Sequence, residues 1–298
     1  MYESADVISY SSDTLIASVQ DGWNVFDEAQ YESDNSAQLL GDILNSDWDD
    51  DDGEPPVYPF DLVTARQVLG DVDTWEDFCA EVRENPEAAL QFSDIFDEDL
   101  GRAARTLPTG TLLYRARLGW AGVDSEGRRQ PYQGAAIGVP PADQVTAGRA
   151  NRAGQPVLYC AENELTAVAE KRPARGYWVS TCQLRLPNDC MVLDLVNGIR
   201  LNPFKNENLA WFARLADLLG AFAEALSTPL ARSDDIEDYL PSQKLCEYVE
   251  GLGYAGVRYP SAMEDDGVNV VFFNPNSAEI LESRLVEVTS IKIGFHPR

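Results

Sequence analysis

Gly148-Arg149-Ala150-Asn151-Arg152-Ala153-Gly154-Gln155-Pro156-Val157-Leu158-Tyr159-Cys160-Ala161 reads as a glycine-bounded loop running into a strand, and Glu164-Leu165-Thr166-Ala167-Val168-Ala169-Glu170 reads as the helix that follows. The loop presents Arg149, the strand presents Tyr159, and the third turn of the helix presents Glu170. Three successive elements thus converge on one pocket. Taken singly, each residue has a plainer reading: an exposed loop arginine, a core tyrosine, and a glutamate paired with Lys171 or Arg172.

Outward from this stretch, residues 111–117, 157–160, 177–186 and 191–196 are short runs rich in β-branched and aromatic residues, and read as strands. Residues 256–259, 268–273 and an alternating stretch at 284–295 return to that rhythm. Residues 209–226 and 242–252 carry apolar residues at helical spacing and read as core helices. Between the strands at 111–117 and 157–160, residues 119–148 form a long glycine-punctuated segment, of a length that signals a functional loop or disorder. Residues 1–105 read as an acidic, mainly helical domain ahead of a second domain at 106–298. Within it, Trp75, Phe78, Cys79 and Val82 mark one helix, and Ala88, Leu90, Phe92, Ile95, Phe96 and Leu100 mark another.

The 298 residues carry 50 acids and 23 bases, a formal charge of −27. Such a charge repels phosphate backbones and anionic lipid surfaces, so neither nucleic acid nor membrane is an expected partner. The imbalance is concentrated: residues 1–100 hold 27 acids against Arg66 and Arg83, a net of −25, and the remainder is nearly neutral. The aspartates of 47–52 lack the spacing of an EF-hand and read as a solvated charge run, so no metal is expected. Residues 47–54 either solubilise the chain or lie against a basic cleft and compete with its ligand. No run is long and apolar enough to span a membrane, and the N-terminus lacks signal-peptide order. Five cysteines (Cys79, Cys160, Cys182, Cys190, Cys246), odd in number and mostly within apolar stretches, read as buried reduced thiols and imply a cytoplasmic protein. His296 is the only histidine, which removes serine and cysteine triads and most zinc sites.

The ordered landmarks Tyr114-Arg115, Arg149 and Asn151, Tyr159, Thr166-Ala167 with Glu170, Gln243, the block 253–261 ending in Ser261, and Asn269 to Phe273 resemble the RES domain, named for its Arg, Glu and Ser. The resemblance implies an α+β, ADP-ribosyltransferase-like fold of split mixed β-sheets with flanking helices. It implies NAD as substrate, no resident cofactor, and breakage of the nicotinamide–ribose bond by hydrolysis or phosphorolysis. It further implies a toxin or defence effector restrained by an Xre-type antitoxin or another inhibitory protein, with a homodimer left open.

By that resemblance Arg149, Glu170, Tyr159 and Ser261 are the catalytic set, while Arg115 or Arg117, with Asn151, Tyr159 and Asn269, contacts the dinucleotide. Glu170 would face the developing oxocarbenium charge. The arginines would grip the pyrophosphate. Tyr159 would offer the nicotinamide its ring, with its hydroxyl at the edge. Two other readings remain open. Transfer of ADP-ribose to a macromolecule would need a second acid, and Glu164 lies on the far face of the helix. A RES domain that only binds a partner would fit Ala150, which stands where the family has an aromatic residue.

Overall fold

The computed structural model describes residues 75–84, 100–198, 209–228 and 236–292. The chain divides into two compact units, Met1–Val72 with Arg200–Arg214, and Asp73–Ile199 with Leu215–Arg298. Every described strand belongs to the second. The acidic residues 47–54 and the helix expected over 88–99 lie outside the described residues.

In chain order the elements are α1 (Trp75–Glu84), β1 (Ala104–Leu107), β2 (Leu112–Leu118), β3 (Gly122–Val123), β4 (Arg129–Gln130), β5 (Leu158–Ala161), α2 (Glu164–Ala169), β6 (Trp178–Arg185) and β7 (Cys190–Asp194). Then come α3 (Leu209–Ser227), α4 (Leu240–Gly251), β8 (Gly256–Pro260), β9 (Val268–Phe272) and β10 (Glu279–Glu287). Eight strands form a mixed sheet in the order β1-β7-β8-β9-β5-β2-β6-β10, and β3 and β4 form a separate hairpin. Only β7 and β8 pair in parallel. The α+β class expected from the sequence is the class observed.

The split is a seam. β2 is fully laddered to β6, but its junction with β5 consists of one register pair, Tyr114 with Ala161. Arg115 crosses this weak junction, its Nη1 donating to the Tyr159 carbonyl at 2.8 Å. A side chain thus supplies a link that the backbone ladder lacks.

Strand alternation sends Leu113 to one face and Ala116 to the other. On the Leu113 face, Leu158, Cys160, Cys182, Leu184, Val270 and Phe272 form the main core. Ile137, fully buried, packs there and pins the segment 119–148 to the sheet, so this segment is an ordered cover. On the opposite face Ala116, Ala161, Ala167 and Val179 are small enough to let α2 lie close to the strands. Helix α3 buries Leu215, Leu219, Phe222 and Leu226, and α1 seats Phe78 and stacks Trp75 on Phe222.

Two expectations shift. The last strand spans Glu279–Glu287 and not 284–295, because its register is set by pairing with β6 through an irregularity between Ile280 and Ser283. Residues 293–295 lie outside the described residues. Cys79, Cys160, Cys182 and Cys246 are buried free thiols, whereas Cys190 is only half-buried. Among the described residues no helix is long and apolar enough to cross a membrane.

Candidate functional site

Register builds the floor of the site. Tyr114 pairs with Ala161, Ala161 with Asn269, and Asn269 with Tyr259, a row that crosses four strands and the seam. Above it opens a cavity of about 400 Å³, walled by Gly148 and Arg149, by the end of α2, and by Leu226, Ser227, Thr228 and Tyr239. A cavity of this size with a few convergent polar groups suits a small-molecule ligand.

Glu170 reaches the cavity because α2 is short. Asn163 caps its start, the side chain accepting from the Thr166 amide at 2.8 Å. Pro173 bars Arg172 from the helical region, and Arg172 takes a φ of 46°. Helix α2 therefore ends at Ala169, and Glu170 sits at its C-cap, not in a third turn. Glu170 Oε1 accepts from Ser261 Oγ and from Asn269 Nδ2, each at 2.6 Å. The Ser261 hydroxyl oxygen also accepts from the Met263 amide. The structure thus brings together Glu170, Ser261 and Asn269 from a helix end, the residue after β8, and β9. Among the described residues no hydrogen bond is made to Oε2, which remains available to a ligand.

The loop carrying Arg149 is braced from beneath. Tyr159 Oη accepts from the Ala150 amide and donates to Asn151 Oδ1, both at 3.0 Å. Burial pushes the Tyr159 phenol well up from its ordinary pKa. Its ring lines the cavity, but its hydroxyl is spent on the loop rather than offered at a ligand's edge. Asn151 is buried, with Nδ2 donating to the Thr146 and Arg152 carbonyls, so its side chain is a brace and does not line the cleft. From α4, Gln243 Nε2 donates to the Gly148 and Asn151 carbonyls, and Ser242 Oγ to that of Arg149. Arg149 itself lines the cavity, donates to the Ala225 carbonyl and lies over the Tyr239 ring, 5.4 Å from its centroid.

Glycine at 148 is required by close approach. A Cβ there would lie 2.7 Å from Asn151 Oδ1 and 2.9 Å from the Tyr159 hydroxyl. Gly148→Ala is expected to force those two atoms apart and shift Arg149, at a cost of about 1–3 kcal/mol. Thermal denaturation should show a lowered Tm; an unchanged Tm would show that the loop relaxes freely.

The β2 arginines part company, although both leave the strand on the same side. Arg115 donates to the carbonyls of Ile137, Gly138 and Tyr159, and burial pulls its pKa down. It remains in the cavity wall. Arg117 is exposed, donates to the Ala136 carbonyl and stacks on Tyr132 at 4.4 Å. It does not line the cleft, which leaves Arg115 as the arginine of this strand at the site. Glu164 is held by Thr181 and by Arg284 and is likewise absent from the lining.

Sequence reasoning missed Tyr114, Tyr239, Tyr259 and Lys171, all in the cavity wall. Tyr259 was legible, since it lies in the same block as Ser261, two residues before it. Among the described residues the lining holds Arg115, Arg149, Lys171 and Arg172 and one carboxylate, Glu170. In a chain of net charge −27 the cleft is a local inversion of sign.

No curated protein matches the sequence. Among solved structures the chain is similar to one in the crystal structure of the M. tuberculosis MbcT-MbcA toxin-antitoxin complex, at 15% identity and a TM-score of 0.36, over 66% of this chain and 93% of that one. A family model, the RES domain, matches residues 112–291, from the first residue of β2 to beyond β10. That span contains every residue lining the cavity, and by it the chain belongs to the RES domain family.

Proposed function

We propose that this protein binds NAD in the cleft and breaks its nicotinamide–ribose bond. The observation that carries the reading is one carboxylate, fixed by Ser261 and Asn269, in a cavity whose described lining also holds four cations and four tyrosines. A dinucleotide brings a pyrophosphate for the cations, rings for the tyrosines, and a C1′ that becomes cationic as nicotinamide leaves. In the step itself the C1′–N bond breaks, nicotinamide departs as a neutral base with the bonding pair, and water or phosphate closes on C1′ while a proton goes to solvent. Glu170, with Oε2 open, stabilises the developing charge.

Membership in the RES family supports a toxin or defence effector held in check by a partner protein of Xre type or another inhibitory kind. Transfer to a macromolecule is disfavoured, since Glu170 is the only acid among the described residues lining the cavity.

The test is nicotinamide release from NAD by the purified full chain, with radiolabelled NAD to follow the ADP-ribose. Release with soluble label supports the reading; label retained on macromolecules favours transfer, and no release leaves a binding module. Arg149→Ala is expected to raise KM by 10- to 100-fold, since a charge-assisted contact contributes about 1.5–3 kcal/mol. Arg149→Lys should recover only part, because a point charge cannot reproduce the planar fork. A wild-type KM in Arg149→Ala would place that guanidinium outside the ligand's reach.

A further inference from the structure

Lys171 follows Glu170 directly, and the circumstances of the two side chains differ sharply. Glu170 is held by two donors, whereas the half-buried Lys171 ammonium has no hydrogen bond or ion pair among the described residues. Neighbours in sequence do not face one another well enough to pair. The chain has only four lysines, Lys171, Lys205, Lys244 and Lys292. Lys244 pairs with Glu247 and Lys292 with Asp265, and Lys205 lies outside the described residues.

Holding an ammonium half-buried beside the Arg115 guanidinium costs free energy through desolvation and like-charge repulsion. Both effects pull the lysine below its ordinary pKa, with burial the larger and Glu170 opposing them. Among the described residues lining the cleft, Lys171 stands with Arg115, Arg149 and Arg172 and with one carboxylate, Glu170. A wall of that composition suits an anionic ligand. A compact ammonium with three rotatable donors suits a phosphoryl oxygen, which accepts from many directions.

We infer that Lys171 binds a phosphoryl oxygen in the cleft, supplied by the dinucleotide or by inorganic phosphate; the inference rests on the NAD-cleaving reading. Lys171 then acts with Arg149 in holding the anion, while Glu170 faces the sugar.

Acylation of each lysine in the full chain, followed by mass spectrometry, reads this directly, with the exposed Lys292 as internal reference. ADP-ribose is expected to slow modification of Lys171 tenfold or more and to leave Lys292 unchanged, whereas phosphate-free nicotinamide riboside gives no protection. Protection by inorganic phosphate alone assigns the site to the acceptor; protection by ADP-ribose where phosphate gives none assigns it to the dinucleotide. Labelling of Lys171 unchanged by either ADP-ribose or inorganic phosphate, in a protein that binds ADP-ribose by calorimetry, overturns the inference.

Kinetics supply the second arm. Lys171→Gln should raise the KM for NAD, or for phosphate, about tenfold with kcat within a few-fold, and Lys171→Arg should retain most of the affinity. Wild-type KM values for both ligands in Lys171→Gln also overturn it. A wild-type protein that neither binds ADP-ribose nor releases nicotinamide removes the functional reading itself, a result distinct from failure at Lys171.

Discussion

Glu170→Gln is expected to lower turnover by 10² or more while leaving NAD affinity within a few-fold, a loss of about 2.7 kcal/mol at 1.36 kcal/mol per decade. The substitution is close to isosteric. The glutamine carbonyl oxygen keeps the bonds from Ser261 Oγ and Asn269 Nδ2, so the cleft retains its shape. What disappears is the negative charge facing C1′ as nicotinamide leaves, an interaction made chiefly in the transition state. Single-turnover nicotinamide release, beside calorimetric binding of ADP-ribose, separates the two quantities. Wild-type turnover in the variant would remove Glu170 from the mechanism, and equal losses of binding and turnover would make it a structural residue.

The second large effect is on stability and lies away from the cavity. Arg258 in β8 is buried, its Nε and Nη2 on Glu162 at 2.6 and 3.0 Å and its Nη1 on Asp194 Oδ1 at 2.7 Å. Arg105, half-exposed, also donates to Asp194 Oδ2, at the longer distance of 3.4 Å. Arg258→Met is expected to cost about 3–5 kcal/mol, because it leaves Glu162 without its counter-charge and Asp194 with only the longer contact to Arg105. For a unit of this size that corresponds to a fall in Tm of roughly 10 °C. A fall under about 2 °C would mean that water or Arg105 compensates the acids.

The pH dependence has a definite sign. Burial would raise the Asp194 pKa, but hydrogen bonds from Asn197 and Arg258, and the Arg258 charge, bring it below the ordinary value. A depressed carboxylate stabilises the fold above its unfolded pKa of about 3.9, and that contribution is lost as pH falls through the folded value. Arg258→Met should therefore flatten the acid limb of the wild-type stability curve.

Periodicity made part of the fold readable in advance. Leu113 and Ala116 alternate across a buried strand, and Leu219 and Phe222 repeat at helical spacing, so those elements were legible. The limits of β10 were not, because none of its residues is buried and its register is set by β6, which sequence does not show. Glu170, Ser261 and Asn269 were legible as residue types in an ordered set, but their meeting on one carboxylate oxygen depends on tertiary structure.

Asn151 and the Tyr159 hydroxyl were given to the ligand and belong to the loop, since a polar group in a motif does not reveal which partner satisfies it. Lys171 was read only as a partner for Glu170, because a continuing helix would turn it away from the cleft. Termination of α2 before Pro173 lets both residues line the cavity.

The Tyr114–Ala161 seam has a thermodynamic consequence. The sheet holds together there by one register pair and one arginine, while the cleft floor runs across the same line from Tyr114 to Tyr259. A ligand lying on that row touches both halves of the sheet and acts as a strap over their junction. Opening of the seam and release of the ligand then belong to one linked equilibrium: whatever binds the closed form more tightly than the open one strengthens the sheet by the same free energy with which the sheet strengthens its binding.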